Sequence, residues 1–114
     1  AGMEVDQVTS MKVEKVANIL ADSPATPVFD VRKQSEFAAG HVADAQNTPL
    51  DYLNDYLAAF PKEETFYVHC KSGYRSMIAA SMLKARGYHN IVDIKGGYQA
   101  IVQSDIRVID QVQA

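Results

Sequence analysis

The 114-residue chain reads as a single α/β domain with a mainly parallel sheet. Three observations lead there. Short apolar runs, Pro27-Val28-Phe29-Asp30-Val31, Thr65 to Cys70 and Asn90 to Ile94, have the length and composition of buried strands. Between them lie segments whose apolar residues recur at helical spacing. Strands that alternate with helices pair in parallel through crossover connections. The length suits one domain, and 47% hydrophobic residues supply one core.

Taken in order, Glu4 to Val8 reads as a short edge strand. Thr9 or Ser10 can cap a helix by accepting from a free backbone N–H, although no capping-box partner follows. Val13, Val16, Ala17 and Leu20 share one face of that helix, which ends at Ser23-Pro24-Ala25-Thr26-Pro27. After the Pro27–Val31 run, Gln34 to Ala39 forms a short helical turn stopped by Gly40. Ala43 to Asn47 is a weak strand, closed by Thr48-Pro49. Asp51 can cap a helix with an apolar stripe of Leu53, Tyr56, Leu57 and Phe60, ended by Pro61.

Thr65 to Cys70 is the next strand, and Tyr74 to Arg86 is the strongest helix of the chain. Lys84 and Arg86 suit its negative end, and Gly87 suits a left-handed exit. Met77, Ile78, Ala79, Ala80, Met82 and Leu83 run nearly all round it, which predicts deep packing. Asn90 to Ile94 is the last buried strand. Gly96-Gly97 then makes a turn, and Tyr98 to Gln103 a final helix. Beyond Ser104, Ile106, Val108, Ile109 and Val112 suit either a packed tail or a link to another domain.

Composition excludes several classes. The formal charge of −3 and pI near 5.5 argue against a nucleic-acid binder, which carries a basic excess or stripe. No apolar run approaches the roughly 18 residues of a membrane span. One cysteine makes no internal disulfide and no cysteine-built zinc site, and three scattered histidines make no metal motif. A cytoplasmic location is expected, with no metal or organic cofactor.

The chemistry concentrates in His69-Cys70-Lys71-Ser72-Gly73-Tyr74-Arg75-Ser76. Read by pattern, this is a strand, a tight loop and a helix start, and sites in open α/β sheets sit at such strand ends. A lone cysteine after an apolar strand is most often an inert small hydrophobe. The flanking residues argue otherwise, because an inert thiol needs neither Lys71, Gly73 nor Arg75. Only the thiolate is nucleophilic. Lowering a thiol from its ordinary pKa of about 8.5 to about 6 needs roughly 3.4 kcal/mol. A helix N-terminus contributes about 0.3–2 kcal/mol, which is too little alone. A ring of loop amides adds to it, and Gly73 lets the loop close tightly. Lys71 and Arg75 supply positive charge beside the thiol, and Ser72 and Ser76 supply hydroxyls. His69 is not read as a base, because neighbours on a strand point to opposite faces. His41 and His89 read as loop or surface residues.

These residues resemble the rhodanese family of sulfurtransferases. One stretch is Asp30-Val31-Arg32, then Glu36-Phe37, Gly40-His41-Val42, Ala45, Asn47 and Pro49-Leu50, similar to the family's D-x-R…E-[FY]…G-H-[IV]…A-x-N-x-P pattern. The other, Cys70 to Ser76, is similar to its C-x-x-G-x-R-S loop, and Gly96-Gly97-Tyr98 to its G-G-[WFY] element. Thr48, in place of an aliphatic residue, and Tyr98, in place of tryptophan, depart from the pattern at positions expected to affect packing. The resemblance implies a five-stranded sheet with helices on both faces. The resemblance covers about Thr9 to Ile101. A domain over residues 9–103 is expected, with residues 1–8 read as an N-terminal strand or the remnant of a cut end and residues 104–114 as a tail or linker. The resemblance further implies that Cys70 carries a sulfane sulfur as a persulfide held by the loop amides. Arg75 and Lys71 would receive the anionic donor, and Ser72, Gly73, Tyr74 and Ser76 would complete the binding loop. Asp30 and Arg32 are implied to be scaffold, an ion pair near the loop.

Cysteine phosphatases use a similar strand, loop and helix with H-C-x5-R-[ST]. Here the string is His69-Cys70-x4-Arg75-Ser76, one residue shorter. A ring that must cradle three phosphate oxygens is wider than one that holds a single terminal sulfur. The shorter loop therefore favours sulfur transfer over phosphatase or arsenate reductase chemistry. The expected partners are a small anionic donor such as thiosulfate or glutathione persulfide, and a thiol, cyanide, protein acceptor or fused domain. The alternative function is a sulfur-relay or regulatory module of a larger protein.

Overall fold

The computed structural model describes residues 8–110. In chain order its elements are β1 (Thr9–Met11), α1 (Val13–Asp22), β2 (Val28–Asp30), α2 (Gln34–Ala39), β3 (Gly40–Val42) and β4 (Gln46–Asn47). A 3-10 segment (Leu50–Ala59), β5 (Phe66–His69), α3 (Tyr74–Ala85), β6 (Ile91–Ile94), α4 (Gly97–Ile101) and β7 (Val108–Asp110) follow. Five strands make one parallel sheet in the order β1-β6-β5-β2-β4. β3 and β7 pair antiparallel beside it. Among the described residues, no helix is long and apolar enough to cross a membrane.

The central strands β2, β5 and β6 are buried along their whole length, because helices cover both faces. Their side chains alternate between two cores. Phe29, Phe66, Val68 and Ile91 face α3 and the 3-10 segment, where Leu53, Phe60, Ala79, Ala80 and Leu83 meet them. Val28, Tyr67, Val92 and Ile94 face α1 and α4, where Val13, Val16 and Ile101 meet them.

Several expectations need correction. Thr9 and Ser10 do not cap a helix. They belong to β1, whose pairing with Val92 and Asp93 is long-range and leaves no local trace. Lys12 takes the cap position of α1, without a side-chain bond. The earlier part of the expected edge strand, Glu4 to Gln7, and Val112 lie outside the described residues. Asp51 makes no cap, since Pro49 precedes a 3-10 segment broken by non-helical backbone at Tyr52. Its stripe buries Leu53, while Tyr56 faces outward. The weak strand contracts to Gln46–Asn47, and β3 forms just before it.

α3 is not packed all round. Small residues, Ser76, Ala79 and Ala80, with Leu83, let it lie close on the sheet, which leaves Met77 and Ile78 on its outer flank. It ends as its composition predicts, with Gly87 at φ +94°. The Gly87 and Tyr88 N–H groups close back on the Lys84 and Leu83 carbonyls in a Schellman turn. Beyond Ser104, Ile106 is buried, and β7 seats Val108 against Val42.

Candidate active site

Cys70 follows β5 at its carboxyl end and is 1% exposed. The loop from Cys70 to Gly73 doubles back over the sulfur, and the Gly73 N–H donates to Sγ at 3.1 Å. That turn needs φ +116° at Gly73, in the left-handed region open to glycine. The N-terminus of α3 then aims its first amides at the same place. Burial pushes the Cys70 thiol up. Hydrogen bonds from the Ser76 hydroxyl and from the Ser76, Gly73 and Ser72 amides outweigh it, so the thiol lies below its ordinary value.

The start of the loop is held from beneath. The Tyr98 N–H donates to the Cys70 carbonyl at 2.7 Å and the Gln99 N–H to that of Lys71 at 3.1 Å. This approach requires glycine at position 97. A Cβ there would stand 2.7 Å from the Cys70 oxygen and from the Lys71 carbonyl, at a backbone φ of +61°.

Of the loop residues, Lys71, Ser72 and Tyr74 are exposed, Gly73 and Arg75 are half-buried, and Ser76 is buried. Arg75 does not stand as a free cation. Its guanidinium grips Glu36 of α2 through two bonds, at 2.7 and 3.1 Å. That fork holds the Glu36 carboxyl down to about 2 against the opposing effect of burial, with help from the Lys33 amide. Glu36 was absent from the residues singled out for the site. Its place in the Arg32…Glu36-Phe37 pattern was the signal that could have found it. Asp93 of β6 was also missed. Its carboxylate meets the Ser76 hydroxyl at 2.5 Å, and that hydroxyl lies 3.5 Å from Cys70 Sγ. An acidic residue inside an otherwise apolar strand was the signal there.

Asp30 and Arg32 lie at the end of the neighbouring strand, and Asp30 alternates onto the other face. The Arg32 guanidinium donates to both carboxylate oxygens of Asp30 at 2.7–3.0 Å and to the Gly40 carbonyl at 2.7 Å. It also stacks over the Tyr98 ring at 4.1 Å. The Asn47 amide donates to the Asp30 and Arg32 carbonyls, which fixes the chain between β2 and β4.

His69 is fully buried on that face, with Nε2 3.8 Å from Asp30. Burial keeps its imidazole below the ordinary value against the pull of Asp30 and the Cys70 carbonyl, so it is neutral at pH 7. It points away from the sulfur, as strand alternation predicts. His41 lies in β3 and stacks on Phe37, and His89 is exposed.

A strand-end thiol wrapped by a short amide loop on a five-stranded parallel sheet defines the rhodanese type of sulfurtransferase fold. The rhodanese-like domain model matches residues 12–104, and the chain belongs to that family. It is 26% identical over 102 residues to a sulfurtransferase of Allochromatium vinosum, covering 90% of this chain and 95% of the relative. It is 30% identical to the thiosulfate sulfurtransferase GlpE of Tolumonas auensis, covering 83% and 89%. Among solved structures, a rhodanese-like domain protein from Staphylococcus aureus superposes with a TM-score of 0.78 at 32% identity, covering 82% of this chain and 91% of that one. Other curated relatives are longer, and the chain spans 57% or less of some of them.

Proposed function

We propose that the protein moves a sulfane sulfur from thiosulfate or a persulfide to a thiol, cyanide or protein acceptor through a persulfide on Cys70. The observation that carries this reading is the buried Cys70 Sγ, ringed by amides with Gly73 N–H at 3.1 Å, in a loop short enough for one terminal sulfur. The Cys70 thiolate attacks the outer sulfur of thiosulfate, a new S–S bond forms, and sulfite leaves with the electron pair of the broken bond. The loop amides hold the resulting Cys70–S–S⁻. Arg75 is offset by Glu36, so exposed Lys71 supplies the more available charge for an anionic donor. The acceptor then takes the outer sulfur and frees Cys70. The names of the relatives support the same chemistry.

Incubation with thiosulfate followed by intact mass measurement tests the reading. One added sulfur is expected, together with thiocyanate when cyanide is supplied, and Cys70→Ala abolishes both. A wild-type chain that never gains sulfur sinks the proposal.

A second reading, a sulfur-relay module of a larger protein, is favoured by the part of the longer relatives that this chain leaves uncovered. It uses the same Cys70 persulfide, with a neighbouring domain as donor or acceptor.

A further inference from the structure

The Ser76 hydroxyl has one hydrogen and three polar neighbours. Cys70 Sγ lies at 3.5 Å, the Gly73 carbonyl at 3.3 Å and Asp93 Oδ1 at 2.5 Å. Ser76 is fully buried, and Asp93 is 3% exposed in the middle of β6. The Asp93 carboxylate lies on the α3 side of the sheet. The groups that reach it are the Ser76 hydroxyl from α3 and, at 3.5 Å, the Ser10 hydroxyl from β1, while Val68 of β5 lies in register beside it. Its contacts therefore lead through one hydroxyl to one titratable group, the Cys70 thiol.

We propose that Asp93, acting through Ser76, stores the proton that Cys70 gives up and returns it to Sγ when the persulfide is discharged. The idea rests on the sulfur-transfer reading and adds to it a route for the proton. The relay starts from a Cys70 thiolate and a protonated Asp93. Asp93 donates to Ser76, and Ser76 donates to the sulfur. Loading leaves this arrangement unchanged, since thiolate plus thiosulfate gives Cys70–S–S⁻ plus sulfite.

Discharge differs from loading in where charge develops: it returns to Cys70 Sγ, inside the buried ring, instead of leaving with sulfite. As cyanide bonds to the outer sulfur and the S–S bond breaks, its electron pair goes to Cys70 Sγ. Ser76 hands its hydrogen to Sγ and takes one from Asp93. The products are thiocyanate, Cys70 thiol and Asp93 carboxylate, with charge balanced. The same chain run backwards restores the thiolate, so no proton need cross to solvent from a sulfur that is 1% exposed.

The environment suits a stored proton. Burial pushes the Asp93 carboxyl up, and the Ser76 and Ser10 hydroxyls only partly oppose it. The Cys70 thiol moves the opposite way. Two groups displaced toward each other across one hydroxyl are the arrangement in which a proton is shared.

The two half-reactions separate the alternatives. Loading is followed as sulfite release from thiosulfate, and discharge as thiocyanate formation from purified persulfide with cyanide. Asp93→Asn keeps the shape and removes the stored proton. It is expected to slow discharge at pH 7 about tenfold more than it slows loading, within the range of one acid–base group. Wild-type discharge is expected to fall as pH rises through the ionisation of Asp93, and Asp93→Asn to lose that limb. Ser76→Ala cuts the chain and takes one hydrogen bond from each group, so loading slows as well, and discharge is expected to slow more. An anchoring role for Asp93 under α3 would slow both halves equally, and that result overturns the relay alone. A wild-type chain that forms no persulfide overturns the sulfur-transfer reading and the relay with it.

Discussion

Two buried polar clusters flank β5 on opposite faces of one sheet. On the α1 and α4 side, Asp30 and Arg32 satisfy each other through paired bonds, Tyr98 covers the guanidinium, and neutral His69 completes the packing. On the α3 side, Cys70, Ser76 and Asp93 are joined by hydroxyl and amide bonds. The first cluster matches each charge with its opposite, and its geometry is scaffold. In the second, the Cys70 thiol is held below its ordinary value and the Asp93 carboxyl above its own, the kind of perturbation found where groups do chemistry. Burial and polarity are alike on the two faces, and charge matching distinguishes them.

Breaking the scaffold cluster has the largest expected effect on folding. Asp30→Asn leaves the Arg32 guanidinium buried without its anion and should cost about 3–5 kcal/mol. Urea midpoints measure it, while sulfur loading per folded molecule is expected to persist. A loss below about 1 kcal/mol would mean that the pair is not the scaffold described.

Gly97→Ala strikes the seat between the clusters. Its Cβ meets backbone that cannot move without shifting the Cys70 carbonyl. The expected cost is about 2–3 kcal/mol. Loading slows as well, because the loop is displaced. Wild-type loading with unchanged stability would show that α4 does not clamp the loop.

Acid separates the faces by sign. Buried His69 resists protonation below its ordinary value of 6.5, whereas the unfolded chain takes up that proton freely. Stability therefore falls as pH drops below about 6.5, and His69→Gln should flatten the decline measured down to about pH 5. Glu36 adds a second loss between 4.5 and about 2, where its depressed carboxyl finally protonates. Asp93, raised instead, favours the folded state as pH falls.

The smallest effect is expected from Glu36→Gln. The half-exposed pair contributes about 1 kcal/mol. Its removal frees Arg75, so the KM for thiosulfate should fall several-fold. A KM that rises would show that Glu36 orients Arg75 for the donor instead of competing for it.

The legible parts of this chain were those whose cause is local. α2 begins at Gln34 and ends at Ala39 as its composition dictates, and the run from Thr65 places Cys70 at a strand end. Alternation alone turned His69 away from the sulfur. What stayed hidden depends on segments far apart in the chain. Thr9 to Met11 become a strand only because β6 lies beside them. Arg75 is neutralised only because α2 packs against the loop. Asp93 passed as one polar residue in an apolar strand until α3 set Ser76 above it.

The pairing of β3 with β7 gives the far end of the chain a mechanical role. β3 continues from α2 without a loop, and Gly40 serves as both helix cap and strand start. β7 braces β3 at Gly40, His41 and Val42, so tension or trimming beyond residue 104 is transmitted to the helix that carries Glu36. A chain trimmed after residue 104, where the family match ends, would keep its cysteine ring intact. It would lose the strut that steadies Glu36, and with it the Glu36 grip on Arg75.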